Sequence, residues 1–135
     1  MKKLRITHLI TLVAACVALA GATADAATLS DKDKQFLTAY GKAHDALVSD
    51  DLAGAKKAGA DLGTEGAELS KSASLKDARS AFEKLSAKAR QLAAGQPGYQ
   101  VYHCPMLNKD WVQTSTTIAN PYGGKEMVSC GEIKK

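Results

Sequence analysis

Apolar positions recur at helical spacing through the first two thirds of the chain. Phe36, Leu37, Tyr40, Ala43, His44, Leu47 and Val48 mark one stripe. Leu52, Ala55, Ala58, Gly59 and Leu62 mark a second, and Leu75, Ala78, Phe82, Leu85, Ala89 and Leu92 a third. Helix starts are written beside two of them. Ser30 precedes Asp33 by three residues, and Ser74 stands in the same relation to Asp77, which is the spacing of a capping box. Ser49-Asp50-Asp51 closes the first helix and caps the second. The second helix is the weakest, because Gly54, Gly59, Gly63 and Gly66 each cost roughly 1 kcal/mol against Ala. It is expected to break near Gly63 or Gly66. Short links between amphipathic helices predict an up-and-down bundle of about three helices. The stripes are its core.

The pattern changes at Gly95-Gln96-Pro97-Gly98, a strong helix stop. Residues 27–94 predict the bundle. Residues 95–135 predict an irregular, partly β segment packed on it within the same domain, so the fold class is mainly α. Tyr99 to His103 alternates weakly, and Trp111 to Ile118 is rich in Thr and Val, so both suit short strands. Asn120-Pro121-Tyr122-Gly123 carries the residues of a type I turn. Trp111 and Tyr99 are the expected packing anchors. With only 5% aromatic residues, Ala, Leu and Val are expected to supply most of the core.

Residues 1–26 follow a different logic. Lys2, Lys3 and Arg5 precede an uncharged, mostly apolar run from Ile6 to Ala20, and Ala24-Asp25-Ala26 is a small-x-small cleavage signature. This predicts a signal peptide and export to the periplasm. Val13-Ala14-Ala15-Cys16 resembles a lipoprotein signal, and membrane attachment follows only if Cys16 is lipidated. Cleavage near Ala26 removes three of the 18 basic and one of the 14 acidic residues, leaving 15 against 13, a formal charge of +2. The whole-chain pI near 9.0 is therefore raised by the leader. No basic stripe remains for nucleic acid.

Candidate chemistry gathers in the tail. In Cys104-Pro105-Met106 the proline pushes Cys104 into an extended conformation. Residues two apart in an extended segment face one way, so Cys104 and Met106 form a candidate chelating pair. His103 then faces the other side and is the weaker candidate. Met127 and Cys130, three apart, meet on a helical turn, and Gly131 beside them tolerates unusual φ. Thiolate and thioether sulfur select copper(I) and its relative silver(I). Zinc prefers Cys with His, and calcium or magnesium prefers carboxylates. The opposing possibility is a Cys104–Cys130 disulfide, the ordinary fate of two cysteines in an oxidising compartment, with Met106 and Met127 as plain packing residues. Spacing alone favours the disulfide. His44, on the apolar face of the first helix, reads as a satisfied core histidine. No nucleophile–base or acid–base pair is evident, so the expectation is a binding protein and not an enzyme.

A resemblance shifts the balance towards a metal. Tyr102-His103-Cys104-Pro105-Met106, Trp111-Val112-Gln113, Asn120-Pro121-Tyr122, Met127 and Cys130-Gly131-Glu132 together resemble the domain-of-unknown-function family numbered 3347. Phe36 to Tyr40 leading to Ala46 to Asp51, and Arg79 to Ser86, are similar to its helices. The resemblance spans essentially the whole chain after residue 26. It implies an exported copper-binding domain associated with heavy-metal efflux, with an efflux adaptor subunit as partner. Carried over residue by residue, it implies Cys104, Met106, Met127 and Cys130 as ligands, with His103 next. The chain departs from the pattern at Gly123, where an aromatic usually follows Asn-Pro-Tyr, and in a shorter stretch from Met106 to Trp111. A non-metal structural or interaction protein of the envelope, stapled by Cys104–Cys130, is the alternative function.

Overall fold

The computed structural model describes residues 27–134. The expected leader and the lipidation signal at Cys16 lie outside those residues. The described chain runs α1 (Asp31–Val48), α2 (Leu52–Asp61), α3 (Ala67–Ser70), α4 (Leu75–Ala93), β1 (Gln100–Cys104), β2 (Lys109–Gln113) and β3 (Glu132–Ile133). A 3-10 turn, Gly124–Glu126, lies between β2 and β3. The protein is mainly α with a small antiparallel sheet at its C-terminal end, as expected. No helix among the described residues is long and apolar enough to cross a membrane.

Local capping sets the helix starts. The hydroxyls of Ser30 and Ser74 accept from the backbone N–H of Asp33 and Asp77 at 3.2 and 3.1 Å. Each also donates to the Asp carboxylate, at 2.6 and 2.8 Å. The Asp51 carboxylate accepts from Gly54 N–H at 2.9 Å and starts α2. The expected break in the second helix is present: α2 ends at Asp61, and α3 is a separate single turn.

The long helices run antiparallel. Ala46 lies close to Gly54 and Lys42 pairs with Asp61, so α2 returns along α1. Leu47 carbonyl meets Arg79, Tyr40 meets Ser86, and Lys88 lies over the Phe36 ring, so α4 also opposes α1.

The aromatic residues carry more of the core than their number suggests. Phe36, Tyr40, Phe82, Tyr122, Trp111 and Tyr102 form one continuous series of ring contacts, with centroids 4.7–6.4 Å apart. The series passes from α1 through α4 into the sheet, so six rings join the bundle to the tail. Aromatic pairs add about 0.5–1.5 kcal/mol beyond the area they bury. Trp111 is fully buried and is the expected anchor, while Tyr99 only lies against the edge of the core. Tyr40 also bridges by hydrogen bonding: its hydroxyl lies 2.8 Å from Ser86 Oγ and accepts from Val112 N–H of β2 at 3.1 Å.

The strand order is β2-β1-β3, all antiparallel. Cys104 pairs with Lys109 across a four-residue turn, Pro105 to Asn108, and Asn108 takes a φ of 51°. Asn tolerates that left-handed conformation better than most residues. β2 stops at Gln113 instead of running on to Ile118. Buried Gln113 replaces the ladder there. Its Nε2 donates to Ser115 and Thr117 carbonyls at 2.7 Å, and its Oε1 accepts from Trp111 Nε1 at 2.8 Å and Ala119 N–H at 3.2 Å. All of its bonding capacity goes into holding an irregular loop in place.

Candidate functional site: the Cys104–Cys130 junction

Cys104 ends β1 and is completely buried, while Cys130 on the returning tail is half-buried. The two form a disulfide, with Cα atoms 5.7 Å apart and a sequence separation of 26. The pairing weighed as an alternative from spacing is thus the state of this structure.

The candidate ligands are distributed as follows. Met127 caps the 3-10 turn, and Cys130 N–H donates to its carbonyl at 3.0 Å. The two therefore bracket a hydrogen-bonded turn, not the helical turn expected from their spacing. Met106 does not share a face with Cys104. β1 ends at Cys104, and Met106 lies in the hairpin turn, 77% exposed. The extended geometry that aligns residues two apart does not continue past Pro105, so the expected Cys104–Met106 chelating pair is not formed. His103 faces away from Cys104, as the alternation predicts. Its Nδ1 lies 2.7 Å from Asp110 Oδ1. His44 is a satisfied core residue: its Nε2 lies 2.8 Å from the Ala119 carbonyl and its Nδ1 2.9 Å from Asp45 Oδ1. Among the described residues no three His, Cys, Asp or Glu side chains come together as a metal-holding group.

Bonds that do not involve sulfur fix the Cys130 segment, two to the Asn120 turn and one to β1. Asn120 N–H donates to Val128 carbonyl, Asn120 Nδ2 donates to Cys130 carbonyl, and Lys134 N–H donates to Val101 carbonyl, each at 2.9 Å. Asn120 Oδ1 also accepts from Tyr122 and Gly123 N–H at 2.9 and 3.1 Å. The expected type I turn is therefore an Asx turn, followed by a wider bond from Gly124 N–H to Asn120 carbonyl at 3.2 Å. Arg79 of α4 anchors the same turn: its Nε donates to Pro121 carbonyl at 2.9 Å, and it pairs with Asp50.

Two glycines admit the tail by close approach. A Cβ on Gly131 would lie 2.6 Å from Trp111 Cη2, and one on Gly123 would lie 2.5 Å from Met127 Cβ. Gly131 is not among the residues with positive φ, so its smallness is what the site uses, not the unusual φ expected. At Gly123 the Met127 segment occupies the space a side chain would need.

Beside the junction, Asp110 gathers His103, Arg90 and Lys134. Burial pushes its carboxyl up, but the hydrogen bonds from Lys134 and His103, with the charges of Lys134 and Arg90, outweigh burial and hold it below its ordinary value. Burial raises the Tyr40 and Tyr122 hydroxyls far above theirs, so both stay protonated as neutral partners of Ser86. Asn120, Gln113 and Asp110 had no periodic signature. Only the Asn-Pro pair hinted at a turn.

Comparison with known proteins returns no match: no family model, no curated protein and no solved structure aligns with this chain.

Proposed function

We propose that this chain is an exported, periplasmic soft-metal protein that binds copper(I), with silver(I) as a chemical relative, once the Cys104–Cys130 pair is reduced. One observation carries the proposal. Two cysteines distant in sequence are held side by side by hydrogen bonds independent of their sulfur atoms, with Met127 on the turn that leads to Cys130. Reduction therefore leaves a dithiol already in register. Two thiolates and a thioether are soft donors suited to copper(I). The resemblance of the tail to family 3347 points the same way. Cys104, Cys130 and Met127 form the centre of the site. Met106 is an exposed thioether on the neighbouring turn, and His103 is held apart by Asp110. The role is binding and not catalysis: buffering the ion, or handing it by ligand exchange to an efflux adaptor subunit.

The test is a copper(I) titration of the reduced protein against a chromophoric copper(I) chelator, with free thiols counted first. About one ion per chain, lost in the Cys104→Ser/Cys130→Ser variant, is the expected result. Two free thiols with no competition for copper(I) would sink the proposal.

The disulfide itself favours a second reading. A bonded pair whose inner half is fully buried suits a permanent staple in an oxidising compartment. The chain is then a structural or interaction protein of the envelope, and the same titration separates the two.

A further inference from the structure

The two halves of the disulfide are not equivalent. Cys104 has no solvent exposure and ends the central strand of the sheet. Cys130 is half-buried and sits in a tail segment flanked by exposed Val128 and Ser129 on one side and half-buried Gly131 on the other. Gly131 places this segment against the edge of the Trp111 ring, so its inner side meets protein. Thiol–disulfide exchange is an in-line displacement at one sulfur, and access decides which sulfur is attacked. A nucleophile must approach along the S–S axis from behind the sulfur it attacks. Cys104 offers no solvent-exposed surface for that approach. Cys130 is partly exposed and adjoins exposed Ser129.

We infer that Cys130 is the site of S-thiolation and exchange, with small thiols and dithiols as its reactants, and that Cys104 is the buried leaving and resolving thiol. This deepens the soft-metal reading and rests on it only for its purpose, since the pair must be reduced before it can hold an ion. The reductant is a dithiol. One of its thiolates attacks Cys130 Sγ, the Cys104–Cys130 bond breaks, and the electron pair leaves on Cys104 Sγ, which takes a proton. The second thiol of the reductant then loses its proton and attacks the reductant sulfur bound to Cys130. That forms the cyclic disulfide and releases the Cys130 thiolate, which takes the second proton or binds the ion. Two electrons and two protons pass from the dithiol to the protein.

A monothiol stops after the first step and allows capture. Until the quench, Asn120 still holds the carbonyl of Cys130 and Lys134 N–H still bonds Val101 of β1, so the Cys104 thiol stays placed to reverse the reaction. Dithiols are therefore the effective reductants, and monothiols give a transient adduct.

The experiment treats the oxidised protein with reduced glutathione, quenches with N-ethylmaleimide and maps the adducts by peptide mass spectrometry. Glutathione on Cys130 with maleimide on Cys104 is the expected result. Glutathione on Cys104, or on both equally, overturns the inference. A second measurement guards against a low adduct yield. In Cys104→Ser and Cys130→Ser, each first shown to retain native near-ultraviolet circular dichroism, the free thiol reacts with an aromatic disulfide reagent. Cys130 is expected to react roughly tenfold faster or more than Cys104, because access controls the rate. Equal rates overturn the inference. No metal is used, so failure here leaves the copper(I) titration to judge the functional proposal, and failure there leaves this result standing.

Discussion

Asn120, with no solvent exposure, donates from Nδ2 to the carbonyl of Cys130 at 2.9 Å. The contact spans ten residues and fastens the returning tail to the turn that α4 holds through Arg79. The same side chain accepts from Tyr122 and Gly123, so one buried amide organises both ends of the segment between β2 and β3.

Asn120→Ala removes all of these side-chain bonds and leaves backbone groups unsatisfied. Each orphaned group costs about 1–3 kcal/mol, so a loss of about 2–4 kcal/mol is expected after partial relaxation. Urea unfolding followed by circular dichroism measures it. A loss below about 1 kcal/mol would show that water replaces the amide without cost.

Gly131→Ala puts a methyl group into the Trp111 ring, since the Cβ would lie 2.6 Å from Cη2. Overpacking of this kind costs about 1–3 kcal/mol. Trp111 is the sole tryptophan, so its fluorescence reports the disturbance directly. A red-shifted emission maximum together with lower stability is the expected outcome, and an unchanged spectrum counts against the contact.

Reducing the disulfide is expected to lower stability without dissolving the fold. Closing a loop with a sequence separation of 26 contributes about 3–4 kcal/mol in the chain-entropy model. The bonds from Asn120 and Lys134, and the β1–β3 pairing, remain after reduction. Unfolding curves with and without a dithiol, read beside near-ultraviolet circular dichroism, test this. Loss of tertiary signal on reduction alone would mean that no preformed dithiol site exists.

Acid should weaken the protein through Asp110 and Asp50, both held below their ordinary values in the fold. At Asp50 the hydrogen bond from Arg79 is the main cause. A carboxyl with a depressed folded pKa stabilises the fold above its unfolded pKa, about 3.9, and loses that contribution as pH falls through the folded value. Stability is therefore expected to be flat with respect to these groups above about pH 5 and to fall below about pH 4. Asp110→Asn should be less stable at neutral pH and show a shallower acid slope. An acid slope as steep as the wild type's would remove Asp110 from the account.

If copper(I) binds as proposed, Met127→Leu should weaken it by about tenfold, near 1.4 kcal/mol, while Met106→Leu should change it far less. The asymmetry follows from position, since Met127 leads into the Cys130 turn and Met106 is 77% exposed on the hairpin. If the double variant binds as well as the wild type, only a two-thiolate site remains.

Most of the helical architecture was legible in the amino-acid order because its causes are local. Ser30, Ser74 and Asp51 cap the helices that follow them within three residues, and the stripes at helical spacing mark the buried faces. The stop at Gly95 to Gly98 and the turn character of Asn120-Pro121 are likewise written in short stretches. The pairing of Cys104 with Cys130 was legible only as one of two possibilities. Spacing sets the entropy of closing a loop but not whether its ends meet.

Tertiary structure decided the rest. It made Gly131 a contact with Trp111, turned Met106 away from Cys104, gave Gln113 a loop to hold and Asp110 an imidazole and two cations, and set six rings in one series across the helix–sheet boundary. Those outcomes depend on which surfaces meet after the chain returns on itself. Packing leaves little free volume, so a side chain's role follows from neighbours tens of residues away as much as from those beside it.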